Sequence, residues 1–203
     1  KDLGVDRVIE GGQTMNPSTD DILKAVKRVK AKTVYVFPNN KNIIMAANQA
    51  AELVEDKKIV VIPSKSVPQC ISAMVEFNDK KSAEANEKAM NKAIGRVTSG
   101  QLTYAVRDTE IDGIEIKKDE SLGMVERKRV TVSKDIDDVL NRVVSQMVDE
   151  DTEFLNVYYG KEIKKPQADV MLKALETKYA DDEIEVSFKK GGQPLYYYII
   201  SAE

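Results

Sequence analysis

Polar and cationic residues crowd three short stretches of this chain: "GGQTMNPS" (11–18), "PNNKN" (38–42) and "PSKSVPQ" (63–69). They supply amides and hydroxyls from Gln13, Thr14, Asn16, Ser18, Asn39, Asn40, Asn42, Ser64 and Ser66, and two ammonium groups, Lys41 and Lys65. Such groups bind anions: a carboxylate, a phosphate or an acidic protein surface. The stretches also precede expected helices, whose first free amides favour negative charge. The same residues have a plainer use. Gly11 and Gly12 permit turns that other residues resist. Asn16 with Pro17 at the first helical position, or Ser18 with Asp21 three residues on, would cap one helix, and Asn39 and Asn40 the next. Capping and turning comes first; binding through Gln13, Asn16, Asn40, Lys41 and Lys65 is the functional alternative, because capping alone does not require the two lysines.

The flanking elements decide whether these stretches can meet. "VDRVI" (5–9), "TVYVF" (33–37) and "KIVVIP" (58–63) are expected strands. Between them, Ile22, Val26 and Val29 stand at helical spacing, as do Ile43, Ile44, Ala47, Ala50, Ala51 and Val54. Strands alternating with helices through short loops predict right-handed βαβ units and a parallel sheet. All three polar stretches then follow carboxyl ends of parallel strands, the edge where open α/β sheets hold their ligands.

The pattern changes near "VTSGQ" (97–101). Short alternating strands follow at Leu102–Val106, Ile114–Ile116 and Val130–Val132, with "IDGI" and "SLGM" as expected turns. A helix carries Ile136, Val139, Leu140, Val143, Val144 and Met147 on one face. Strand "FLNVYY", helix "PQADVMLKALETKY" and strands "EIEVSF" and "PLYYYII" complete the chain. The expected fold is therefore α/β, with a parallel βαβ subdomain over 1–97 and a mixed-sheet α+β subdomain over 98–203.

Composition excludes much. The 203 residues contain no histidine, which removes the commonest general base and metal ligand. With one cysteine, Cys70, no internal disulfide or thiolate cluster can form, and a reduced, cytoplasmic setting is expected. On an apolar helical face, Cys70 is a structural thiol before it is a nucleophile. A net charge of -3 gives no ground for nucleic-acid binding, and no apolar run is long enough for a membrane helix. Neither G-x-G-x-x-G nor a Walker loop is present. Asp108, Glu110, Asp112 and Glu115 carry metal-type oxygens, but without calcium-loop spacing they are better explained as a solvated hairpin edge. Arg107, Arg127, Lys128 and Arg129 form a second basic candidate surface. Tyr196, Tyr197 and Tyr198 alternate as strand formers and as candidate interface anchors. The chain begins at Lys1 without methionine and is expected to be cut from a longer protein.

Taken together, "GVDRVIEGGQTMNPSTDDIL", "VYVFPNNKNIIMAANQAA", "VVIPSKSVPQ" and "GGQPLYYYIISAE" resemble the C-terminal domain of the bacterial fatty acid kinase component FakA, over essentially the whole chain. The resemblance implies a two-lobed fold related to DegV and FakB proteins. It implies a non-catalytic domain that docks the fatty-acid-carrying protein FakB, so that a separate N-terminal domain phosphorylates the fatty acid carboxylate to an acyl phosphate for phospholipid synthesis. ATP and magnesium belong to that N-terminal domain. No catalytic, cofactor or metal residue carries over to this chain. A DegV-like domain that itself holds a fatty acid or small carboxylate, and a dimerisation module, are the alternatives.

Overall fold

A computed structural model describes residues 3–11, 16–111, 113–126 and 129–203. The chain divides into two compact units, Lys1–Arg96 and Val97–Glu203.

In the first unit, β1 (Thr33–Val36) and β2 (Lys58–Val61) pair in parallel, Thr33 opposite Lys58 and Val36 opposite Val61. The helices are α1 (Thr19–Lys27), α2 (Lys41–Glu52), α3 (Val67–Val75) and α4 (Ala83–Arg96). Side chains alternate across a strand, and here both sets are apolar. Val34, Val36, Ile59 and Val61 pack with Ile22, Val26, Ala47 and Ala50 of α1 and α2. Tyr35, Phe37, Val60 and Ile62 pack with Ala73, Met90 and Ile94 on the other face. A ribbon covered on both sides explains why its strands are continuous apolar runs.

The expected first strand, 5–9, is in no ladder, and Val8 and Ile9 are 56% and 36% exposed. Strand propensity expresses fit to a pleated, half-buried surface rather than an intrinsic backbone preference. "VDRVI" carries the preference without the neighbouring strand.

The second unit is built on a six-stranded sheet in the order β7-β6-β3-β10-β8-β9. Its strands are β3 (Thr98–Tyr104), β6 (Ser121–Val125), β7 (Arg129–Ser133), β8 (Phe154–Tyr159), β9 (Glu185–Lys190) and β10 (Tyr198–Ala202). Neighbours are antiparallel except β8 and β9, whose parallel pairing requires the crossover through α6 (Lys165–Lys178). A separate hairpin joins β4 (Thr109–Ile111) to β5 (Ile114–Ile116), with Gly113 at φ 79° in the turn. Helix α5 (Ile136–Met147) buries Val139, Leu140, Val143, Val144 and Met147 of the expected face, with Ile136 half-buried against the same core.

Two sequence expectations fail in this unit for physical reasons. "SLGM" is not a turn but the start of β6. A Cβ on Gly123 would lie 2.4 Å from Val143 Cγ2, so this glycine serves close approach of α5 to the sheet. The three tyrosines do not share a strand either: only Tyr198 lies in β10, fully buried, with its phenol pushed well above its ordinary range by burial. Because β10 is paired on both sides, it offers no free edge for a second copy. The alternating α/β class of the first half and the mixed sheet of the second are otherwise as expected.

The second GGQ is turn chemistry. Gly191 and Gly192 donate their N–H groups to the Tyr159 carbonyl at 3.0 and 3.1 Å, and Gln193 Nε2 donates to the Tyr158 carbonyl at 2.7 Å.

Candidate functional site

The last main-chain bond between β1 and β2 runs from the Ile62 N–H to the Val36 carbonyl, 3.0 Å. Past it, the two polar loops separate toward α2 and α3. Side chains hold them together. The Asn39 N–H donates to Ser64 Oγ at 3.1 Å, and the Ser64 hydroxyl donates back to Asn39 Oδ1 at 2.8 Å. Ser64 is fully buried, and Asn39 adopts φ 56°, a left-handed conformation that asparagine tolerates better than most residues.

Each loop then caps its helix. Asn40 Oδ1 accepts the Asn42 N–H at 3.1 Å, which makes Lys41 the first residue of α2. Ser66 Oγ accepts the Gln69 N–H at 3.3 Å and starts α3, with Pro68 in its first turn. Gln69 reaches across its own turn. Its Oε1 accepts the Lys65 N–H at 2.7 Å, while its Nε2 donates to the Ile94 carbonyl of α4 at 3.2 Å.

The first polar stretch joins through Asn16, whose Oδ1 accepts from Asn40 Nδ2 at 3.3 Å. Ser18, not Asn16, caps α1 through a reciprocal box with Asp21. The Ser18 hydroxyl and N–H together hold the Asp21 carboxyl below its usual range. Gln13, with Gly12 and Thr14, lies outside the described residues.

Asn16, Asn40, Lys41 and Lys65 therefore do come to one edge. Lys41 and Lys65 are exposed, and neither ion-pairs with a carboxylate among the described residues. A hydrogen-bonded frame of polar side chains with two uncompensated cations can meet an anionic group or an acidic surface. Among the described residues its side chains are amides, hydroxyls and ammonium groups. Cys70, beneath the frame in α3, has its thiol pushed up by burial, against a weaker opposing hydrogen bond with Asn39.

Two expectations place chemistry elsewhere. Glu110 and Glu115 stand opposite one another across the β4–β5 hairpin, both exposed, and Lys117 pairs with Glu115 at 3.6 Å. Asp108 Oδ1 accepts the Lys118 N–H at 2.7 Å, so these acids serve the hairpin rather than converge; Asp112 lies outside the described residues. In the second basic candidate, Arg107 is exposed, while Arg127 and Lys128 lie outside the described residues. Hollows of about 270 Å³ at Val148, Asp149, Thr152 and Ile184, and about 250 Å³ at Tyr35, Phe77, Lys81 and Asn86, do not touch the strand-end edge.

The Asn39–Ser64 bond and the bridging role of Gln69 lie beyond the sequence reading. Their signals there are slight: an Asn-Asn pair where one cap suffices, and an amide in the otherwise apolar first turn of α3.

Over residues 1–203 the chain matches the family of FakA-like fatty acid kinase C-terminal domains. It is 49% identical to the protein YloV of Bacillus subtilis and 45% identical to an uncharacterised protein of Staphylococcus aureus strain USA300, in each case over all of this chain and 36% of the relative. It thus spans about a third of the length of these relatives. Solved structures share its fold at low identity. DegV, a fatty acid binding protein from Bacillus subtilis, has a TM-score of 0.59 at 13% identity, covering 93% of this chain and 77% of that one. The Streptococcus pneumoniae fatty acid kinase B3 protein loaded with linoleic acid gives 0.57 at 14%, covering 92% and 76%. The dihydroxyacetone kinase of C. freundii in complex with AMP-PNP and Mg2+ gives 0.60 at 10%, covering 92% and 41%.

Proposed function

From the premise that the chain belongs to the FakA-like C-terminal family of fatty acid kinases, we propose that it is a docking module without chemistry of its own. It recruits a FakB-type protein carrying a fatty acid, and a part of the longer protein outside this chain phosphorylates the fatty acid carboxylate with ATP and magnesium. The observation that carries this is the strand-end edge: Lys41 and Lys65 are exposed on two hydrogen-bonded loops, uncompensated among the described residues. A docking surface used in turnover must release its partner, which favours a modest, polar, charge-complementary contact over a large apolar one.

The test is a calorimetric titration of this chain against a FakB-type protein, with and without bound fatty acid; the linoleate-loaded B3 protein is a usable probe. Saturable binding, and no ATP turnover by the chain with or without that protein, is the expected result. Acyl phosphate formed by the chain alone overturns the proposal, as does absence of binding in both forms. One observation favours a second reading, in which the domain itself holds a fatty acid: its fold is shared with proteins solved as fatty-acid carriers. Denaturing extraction and mass spectrometry of the purified chain separates the two, since stoichiometric fatty acid supports the second.

A further inference from the structure

We infer that Asn39 and Ser64 are positioning residues that lock the two lysine-bearing loops into a single presentation, an inference resting on the docking role proposed for Lys41 and Lys65. The two-way bond replaces the strand ladder where the ladder stops. Residues 25 positions apart in sequence are joined at two points, a main-chain N–H into a hydroxyl and that hydroxyl into a carboxamide, so orientation is fixed as well as distance. Asn39 is followed by Asn40, which caps α2, and by Lys41, its first residue. Ser64 is followed by Lys65, whose N–H is held by Gln69. One pair thus sets the starting point of both cationic residues.

The burial of Ser64 makes the idea separable from direct contact. Its side chain is 0% exposed and cannot touch a docked protein. Any change in docking on its removal has to pass through the loops. Buried at Ser64 and half-buried at Asn39, the pair lies where a satisfied hydrogen bond favours one arrangement over others.

The experiment uses the full chain and the linoleate-loaded B3 protein as probe. Ser64→Ala removes both bonds at once. Asn39→Gly keeps easy access to the left-handed conformation but deletes the carboxamide, and it carries the test if Ser64→Ala fails to fold. Each variant is expected to speed amide hydrogen exchange in both loops, 37–42 and 63–66, with unchanged circular dichroism. Each is expected to weaken binding about 5-fold or more, a typical coupling magnitude. In a Lys41→Gln, Lys65→Gln background the same change should cost much less, because the loops would then be positioning nothing; such non-additivity is what a double-mutant cycle detects. A merely structural role would lower the melting temperature and leave binding well below it unchanged. The inference is overturned if exchange rises only in the loop carrying the substitution. It is overturned equally if Ser64→Ala binds normally while the lysine pair variant is weakened, or if the two effects simply add. If the lysine pair variant itself binds like the parent chain, the docking face is misassigned and this inference falls with it, an outcome distinct from a failure of the Asn39–Ser64 pair alone.

Discussion

A methyl group at position 123 would stand 2.4 Å from Val143 Cγ2 and 2.7 Å from Val139 Cγ1, both on a helix pressed against the sheet. Neither valine can swing away without disturbing a buried core face. Gly123→Ala should therefore cost about 1–3 kcal/mol, the range for overpacking a closed core, measured by urea denaturation with the slope unchanged. A loss below about 0.5 kcal/mol would mean that α5 can retreat freely. A second residue-scale prediction concerns pH. The Asp21 carboxyl is held below its usual range by the Ser18 hydroxyl and N–H. A carboxyl lowered by folding contributes stability that is complete above its unfolded pKa, about 4, and lost as pH falls through the lowered folded value. Asp21→Asn should thus melt below the parent chain at pH about 7. The gap should narrow below pH about 4 and close in stronger acid. A gap constant across that window would show that the carboxylate form is not what Ser18 holds.

Helix α5 displays at the scale of an element what periodicity can and cannot foretell. Its apolar face was legible because Val139, Leu140, Val143, Val144 and Met147 recur at helical spacing, and each is buried. Leu140→Ala is expected to cost about 2–5 kcal/mol, whereas Val170→Ala on α6, at a side chain 65% exposed, should stay within about 0.5 kcal/mol. Equal losses in equilibrium unfolding would contradict the burial described. The β1–α2–β2 unit was legible for the same reason, since alternation is local, while the start of α1 stayed open between Asn16 and Ser18 until the Ser18–Asp21 box decided it. What was not legible depended on distant partners. "VDRVI" has strand chemistry but no ladder. The glycine of "SLGM" looks like a turn until α5 is known to lie on it. At the candidate site, the loop residues and the exposed lysines could be named from the sequence. The bond between Asn39 and Ser64 could not, because nothing in either loop specifies the other across 25 residues.

At the scale of the whole chain, bulk charge gives the proposed docking no drive, since 31 basic residues are offset by 34 acidic ones. Attraction to the proposed partner would then come from a local arrangement, and two are candidates: the strand-end edge with Lys41 and Lys65, and the second basic cluster expected from the sequence, Arg107, Arg127, Lys128 and Arg129. The first has a supporting frame of hydrogen bonds. Changing Lys41 and Lys65 together to glutamate should leave circular dichroism unchanged, because both side chains are exposed. It should weaken binding of the fatty-acid-loaded FakB-type protein about 10-fold or more, as when like charges face each other across an interface. Salt gives an independent check. Exposed charge pairs are screened over about 10 Å at 0.1 M salt and about 3 Å at 1 M, so the parent chain should bind more weakly as salt rises. The double variant should lose that dependence or reverse it. The same reversal at Arg127 and Arg129 should do less on both counts. If that second variant loses binding while the lysine variant keeps it, and both remain folded, the partner docks on the second basic cluster and the strand-end frame serves only to hold its own loops.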